Sequence, residues 1–284
     1  VKMNSGLIDL HVHTTASDGT MSPVEVVAYA AAKGLQAIAV TDHDTIAGVE
    51  AAVGAGRELG LEVVPGVEVS VDYHGEMHIL GYFFDARNSG LQDGLAKLRQ
   101  YRDERNPRMI EKLRELGFDI TLEEVMEEAQ GSVVGRPHVA AVMLKKGYVT
   151  SFDQAFDWYL GTGKAAYVKK ERLTPKEGIE LIRAAGGIPV LAHPKYLKTD
   201  AGNLNSLIIE LKDYGLQGIE VFYTSHTPEE TRFFHELALI NGLMVTGGTD
   251  FHGQNKPDIE IGTGEGSLAV EYSILEQLKG VSSE

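Results

Sequence analysis

The chain has 284 residues, 43% of them apolar and 24% charged, a composition typical of a soluble globular protein with a sizeable core. Its formal charge of −15 gives no basic footprint for duplex DNA, which proteins grip by neutralising phosphates with Lys and Arg; a small or short anionic substrate fits if positive charge is local. No cysteine is present, so disulfides, thiolate metal sites and cysteine nucleophiles are excluded.

In chain order, short β-branched runs alternate with helical patterns, as parallel β/α units do. Strands are expected at Leu7–His11, Ala37–Thr41, Glu62–Glu68, Met77–Tyr82, Ile188–Ala192, Gly218–Phe222 and Met244–Thr249. After the first strand, "SPVEVVAYAAAKG" reads as a helix, with Ser22 as cap, Pro23 at the first helical position and Gly34 as stop. Thr174, Pro175 and Gly186 repeat that pattern in "TPKEGIELIRAAGG". The third and fourth strands flank "DYHGE", a hairpin signal. Between His78 and His193 the chain is too long for one crossover, and its middle reads as helical. The expected domains are therefore a barrel from residues 1–90 and 171–284 and a helical insert from 91–170. No stretch has the length and apolarity of a membrane span, and the first residues lack a signal-peptide pattern. A cytoplasmic enzyme without a membrane partner is expected, and its oligomeric state is left open.

Chemistry-bearing residues gather at the strand ends. In "DLHVHTTASDGT", His11 and His13 lie two apart and share one face of a strand. "GGTDFHG" repeats the spacing with Asp250 and His252. His43 in "VTDHDT", Glu68 in "PGVEVS", His78 in "EMHILGY" and His193 in "VLAHPK" fall at further strand ends, where α/β barrels place active sites. Burying so many polar groups without compensation costs several kcal/mol, and metal ions supply it. Nitrogen and oxygen ligands without sulfur suit Mn²⁺, Fe²⁺ or Zn²⁺.

Six motifs in order, "DLHVHTTASDGT", "VTDHDT", "GVEVS", "HILGY", "LAHP" and "GTDFHG", resemble the polymerase-and-histidinol-phosphatase domain along essentially the whole chain. The resemblance implies a distorted seven-stranded (β/α)7 barrel with three divalent metal ions. His11, His13, Glu68 and Asp250 would hold the first ion. Glu68 would bridge to a second, held with His78 and His193, and Asp18, His43 and His252 would hold the third. Some members carry a histidine in place of Asp18. Three such ions against three carboxylates and one hydroxide leave a surplus of about two positive charges, which matches a phosphate dianion. The expected reaction is phosphoester hydrolysis by metal-bound hydroxide.

In "VGRPHVAAVMLKKG", Pro137 opens a helix, and Arg136 and His138 flank an N-terminus that favours anions. The subgroup with this helical insert resembles nucleoside 3′,5′-bisphosphate phosphatases and 5′-to-3′ exonucleases on short RNA, where the insert recognises a 5′-phosphate. Lys164, Lys169 and Lys170 are weaker candidates for that phosphate, a solvated basic turn being the plainer account. His226 is a candidate hydrogen-bond donor or general acid, against a role in helix capping. Asp42 is a candidate orienter of an imidazole, against a plain turn carboxylate. His74 and His235 read as structural. Two alternatives stand beside the nucleotide phosphoesterase: hydrolysis of histidinol phosphate or a cyclic phosphoester, and a metal-binding domain without turnover.

Overall fold

The computed structural model describes residues 6–73, 76–129, 133–169, 171–197 and 199–282. Strands β1 (Leu7–Val12), β2 (Ala37–Val40), β3 (Glu62–Val71), β4 (Met77–Tyr82), β5 (Ile188–Leu191), β6 (Gly218–Tyr223) and β7 (Met244–Gly248) lie where the sequence pattern puts them. They form one sheet in the order β7-β6-β5-β4-β3-β2-β1, and β8 (Val270–Glu271) adds an antiparallel edge to β1. A bridge from Val12 to Phe251 and the bond from Asp250 N–H to the His11 carbonyl bring the last strand round to the first, nearly closing a barrel. Gly248 makes that approach possible: a Cβ there would lie 2.4 Å from the His11 nitrogen.

The distortion has a plain cause. The β3–β4 connection is too short for a crossover helix, so β4 pairs antiparallel to both β3 and β5. His78, at the start of β4, therefore faces the same barrel mouth as the C-terminal ends of the other strands.

Helices α1 (Pro23–Ala32) and α2 (Val49–Leu59) cover the first strands. Ser22 and Glu25 close a capping box on α1, and Gly34 ends it at φ 79°. Between β4 and β5 come α3 (Ser89–Glu115), α4 (Leu122–Glu128), α5 (Arg136–Lys145), α6 (Phe152–Ala155), a π-helical turn at Phe156–Leu160 and α7 (Pro175–Ala184). Helices α8 (Ala201–Tyr214), α9 (Pro228–Ile240) and α10 (Tyr272–Ser282) complete the chain. Among the described residues no helix is long and apolar enough to cross a membrane.

Two cores meet within α3. Leu91, Leu95 and Leu98 pack with Val67, Val69 and Ile79 of the barrel. Met109, Ile110 and Leu113 pack with Val125, Val139 and Leu160 of the insert. One continuous helix thus serves both cores.

Candidate metal centre

The site begins with a kink in β1. Its pairing with β2 slips between Asp9 and Val12. Ile8 and Leu10 join the cluster shared by β1 to β5, whereas Val12 joins the layer under α1 and α2. Such a bulge re-aims side chains, and here it lets His11 and His13 follow Leu10 on the inner side at the barrel mouth. Asp250 and His193 sit at the ends of β7 and β5 with φ of 59° and 26°, a conformation that costs about 1–3 kcal/mol per residue in non-glycine positions. Fixed partners hold it: His11 O accepts from Asp250 N–H at 2.8 Å, and Glu220 Oε2 accepts from His193 N–H at 2.7 Å.

Glu68 is the hub. Its Oε2 lies 3.2 Å from His11 Nε2, 3.1 Å from His13 Nε2 and 3.1 Å from His43 Nδ1. Its Oε1 lies 2.7 Å from His78 Nδ1 and 3.0 Å from His193 Nε2. Asp250 Oδ1 is 3.2 Å from His13 Nε2, and Asp18 Oδ1 is 3.2 Å from His252 Nε2. All nine predicted ligand residues are thus brought together. Three sets have donor atoms within 4.8 Å of one another: His11, His13, Glu68 and Asp250; His43, Glu68 and His78; and His13, Asp18, His43 and His252. The third set includes His13 as well as the expected residues, since the His13 Nδ1 edge lies 3.6 Å from Asp18, and the second has His43 in the place expected for His193, which reaches the cluster through Glu68 Oε1.

These residues fit divalent cations on a direct observation. His11 Nε2, His13 Nε2 and Glu68 Oε2 are buried side-chain atoms with no hydrogen-bond partner, yet they converge on one point. A buried acceptor left unsatisfied costs about 1–3 kcal/mol, and a shared cation would satisfy all three.

The electrostatics agree. Burial by itself would raise Glu68, but His43, His78 and His11 outweigh it and hold the carboxyl well below its ordinary range. Asp18 and Asp250 are also held well below theirs against burial, Asp18 by His252 and His43, Asp250 by Lys256 and His11. In His13, burial works downward, but the adjacent Asp250 and Glu68 carboxylates push the imidazole up to about 9. Burial pushes His43 down to about 3. Three carboxylates therefore draw positive charge into a buried site, as protons on imidazoles or as cations.

The supporting shell contains residues that the sequence reading did not single out. Glu220, fully buried on β6, takes His11 Nδ1 at 2.9 Å and turns Nε2 toward Glu68. Tyr223 and Lys256 both donate to Asp250 Oδ2, at 2.9 and 2.6 Å. Asp9 accepts from Thr249 and from Gly262 N–H, tying β1 to the segment after β7.

The remaining candidates lie apart from the ligand cluster or support it from outside. Asp42 accepts from Thr14 N–H, Thr14 Oγ1 and Ser17 Oγ, so it fixes the loop carrying Asp18. Ser17 Oγ lies 3.4 Å from His13 Nδ1, which makes His13 the imidazole that Asp42 influences. His226 takes its Nδ1 to the Val221 carbonyl and packs between Tyr223 and Phe234, away from the cavity lining, so it is not placed as a general acid. Lys164 is exposed and off the cavity, and Lys169 pairs with Asp72. His235 is exposed on α9. Lys170 and His74 lie outside the described residues.

The carboxylate–imidazole cluster lines a cavity of about 540 Å³ whose other wall belongs to the helices between β4 and β5. Arg136 lines it, stacked over Phe156 at 5.5 Å, while His138 is buried behind, its Nδ1 accepting from Gly135 N–H. Arg102, Arg105 and Arg172 join Arg136 there. Arg102 binds Asp44 through Nε and Nη2, at 2.9 and 2.7 Å. Arg105 has a buried Nε without a partner. Burial, with Arg102, Arg136 and Arg172 adding repulsion, pushes Arg105 down to about 9. Arg102 is thus paired with Asp44, Arg136 lies 4.0 Å from Glu76, and Asp153 and Asp157 also line the cavity, so Arg105 is the guanidinium with the least acidic compensation.

Comparison with known proteins agrees. The PHP domain matches residues 9–169. A 5′-3′ exoribonuclease of Haemophilus influenzae is 36% identical over 245 residues, covering 86% of this chain and 89% of that protein. A 3′,5′-nucleoside bisphosphate phosphatase of Chromobacterium violaceum is 32% identical over 257 residues, covering 90% of each. A solved structure of an amidohydrolase from C. violaceum, with bound sulfate and no metal, superposes with a TM-score of 0.88 at 31% identity, covering 96% of each chain.

Proposed function

The chain belongs to the PHP domain family, and on that premise we propose that it is a metal-dependent phosphoesterase acting on the 3′-phosphoester of 5′-phosphorylated nucleotides. It would work as a nucleoside 3′,5′-bisphosphate phosphatase, as a 5′-to-3′ exonuclease on short RNA, or as both. These substrates share a 5′-phosphate and an adjacent 3′ P–O bond, and differ in what the phosphorus carries beyond it. The observation that carries the reading is one cavity with a carboxylate–imidazole cluster on one side and four arginines on the other. At about 540 Å³ it is of the size of small-ligand sites, and the net charge of −15 favours a small or short substrate over a duplex.

The proposed cofactor is three divalent cations, Mn²⁺, Fe²⁺ or Zn²⁺. His11, His13, Glu68 and Asp250 would hold one, Glu68, His78 and His193 the second, and Asp18, His43 and His252 the third. When bound, such ions supply Lewis acidity toward phosphoryl oxygens and an acidified water. The remaining work belongs to the chain itself. Glu220 keeps the His11 Nε2 lone pair turned inward. Tyr223 and Lys256 occupy Asp250 Oδ2 and leave Oδ1 on the side of His11 and His13. Arg105 and Arg136 receive the 5′-phosphate and set the distance from it to the bond that breaks. The insert roofs the cavity and keeps bulk water from the reacting phosphate.

The test loads metal-stripped protein with Mn²⁺ and compares release of phosphate from adenosine 3′,5′-bisphosphate, adenosine 3′-phosphate, histidinol phosphate and a cyclic phosphodiester. The proposal expects the bisphosphate to be preferred and metal to be required. Preference for either compact ester would favour the alternative reading, and no turnover of any ester by metal-loaded protein would reject the enzyme class.

A further inference from the structure

Across the barrel mouth from the arginines, Lys256 lines the cavity, and its place in the fold suggests a second grip on the substrate. Arg102 is anchored to Asp44 and Ser70, and Arg172 to the Val71 carbonyl, so the arginines sit over the β2–β3 side of the barrel mouth. Lys256 follows β7, bonds Asp250, and lies beside Tyr223 at the end of β6. In the strand order, β6–β7 stands across the mouth from β2–β3, with the carboxylate–imidazole cluster between them.

We infer that Lys256 grips the outer oxygens of the phosphate being cleaved and thereby biases the site toward a terminal 3′-phosphomonoester over an internal phosphodiester. The inference rests on the proposed function above. A 5′-phosphate held by the arginines puts the scissile phosphate over the cluster and its far oxygens toward Lys256. The side chain is 40% exposed and lines the cavity. Its ammonium has three donors, and the bond to Asp250 Oδ2 at 2.6 Å uses one, leaving two for a ligand. That bond also leaves Asp250 Oδ1, the oxygen near His11 and His13, where it is.

The chemistry makes the lysine discriminating. In both substrates the oxygen of water bonds to phosphorus, the P–O3′ bond breaks, and O3′ gains a proton. From the bisphosphate this yields a 3′-hydroxyl and inorganic phosphate; from RNA it yields a nucleoside 5′-phosphate and a remainder with a new 5′-phosphate. A terminal phosphate presents a second negative charge and an extra unsubstituted oxygen on the far side, where a diester presents a ribose. A lysine there acts most on the terminal ester.

The experiment measures kcat/KM of Mn²⁺-loaded parent, Lys256→Met and Lys256→Arg on adenosine 3′,5′-bisphosphate and on the 5′-phosphorylated adenylate dinucleotide, with metal content per chain measured alongside. Lys256→Met is expected to fall on both, by about tenfold or more further on the bisphosphate, with unchanged metal content and with Lys256→Arg restoring part of the preference. An equal fall on both substrates, with or without metal loss, would assign Lys256 only to positioning Asp250 and overturn the inference. So would an unchanged ratio in a fully active variant. Parent protein inactive on both substrates would instead reject the proposed function, a result distinct from any change in ratio.

Discussion

Glu220→Gln is the perturbation with the most calculable outcome. Glu220 is fully buried, its Oε1 on His11 Nδ1 at 2.9 Å and its Oε2 on His193 N–H at 2.7 Å. A carboxylate accepts both bonds, whereas an amide has one acceptor and one donor. If the amide oxygen stays on His193 N–H, its NH₂ faces His11 Nδ1 and favours the tautomer with the proton on Nε2, which then has no lone pair for a cation. Losing one charge-assisted hydrogen bond is worth about 1.5–3 kcal/mol, or roughly 10- to 150-fold in affinity. The expected result is a weakening of that order at the set formed by His11, His13, Glu68 and Asp250, with the fold intact because the side chains are isosteric. Titration of metal-stripped protein with Mn²⁺ against a competing chelator measures it, with circular dichroism as the fold control. Parent-like affinity at every site would refute the orienting role of Glu220.

Other consequences follow from the same geometry. Asp18→Asn is expected to lower metal content by about one ion per chain while the His11 and His13 set stays loaded, which atomic emission reads directly; loss of all metal would contradict separate sets. In metal-free protein, His13 is raised to about 9 from 6.5, so its stabilising proton is fully held below pH 6.5 and lost as pH rises toward 9. His43, lowered to about 3, subtracts stability as pH falls from 6.5, when the unfolded chain gains a proton that the folded one refuses. Denaturant unfolding of metal-free protein should therefore show greatest stability near pH 6.5, and a steady rise from pH 5 to 9 would contradict the assignment. Arg105→Met should raise KM by about tenfold or more for 5′-phosphorylated substrates and little for those without that phosphate. It should not lower the ligand-free melting temperature, because it removes a buried charge that lacks compensation; a drop of many degrees would give Arg105 a structural role.

Much of this architecture was legible because the barrel writes itself in local patterns. Seven strands followed from β-branched runs, and Pro23, Gly34 and the Ser22 cap marked α1 from sequence. Eight of the candidate ligands were legible because strand ends bring distant residues together and because residues two apart share a face; Asp18, in the loop after β1, came only from the resemblance to the family. Glu220 left a fainter trace: an acid inside the otherwise apolar run "GIEVFY", where full burial demands partners. Arg102 and Arg105 left none. They belong to a helix charged along its whole length, and only the docking of α3 decides that these two point into the cavity. His226 shows the reverse failure, since proximity in sequence to a strand end did not determine which way the ring turned. The two-residue β8 is too short for any period to reveal it.

The central claim is that one barrel mouth assembles a three-cation centre from nine side chains. Anomalous scattering from crystals of the Mn²⁺-loaded protein tests it most directly. The account predicts three peaks: one among His11, His13, Glu68 and Asp250, one by Glu68, His78 and His193, and one by Asp18, His43 and His252. An empty mouth in fully loaded protein, or peaks only at sites away from Glu68, would contradict it.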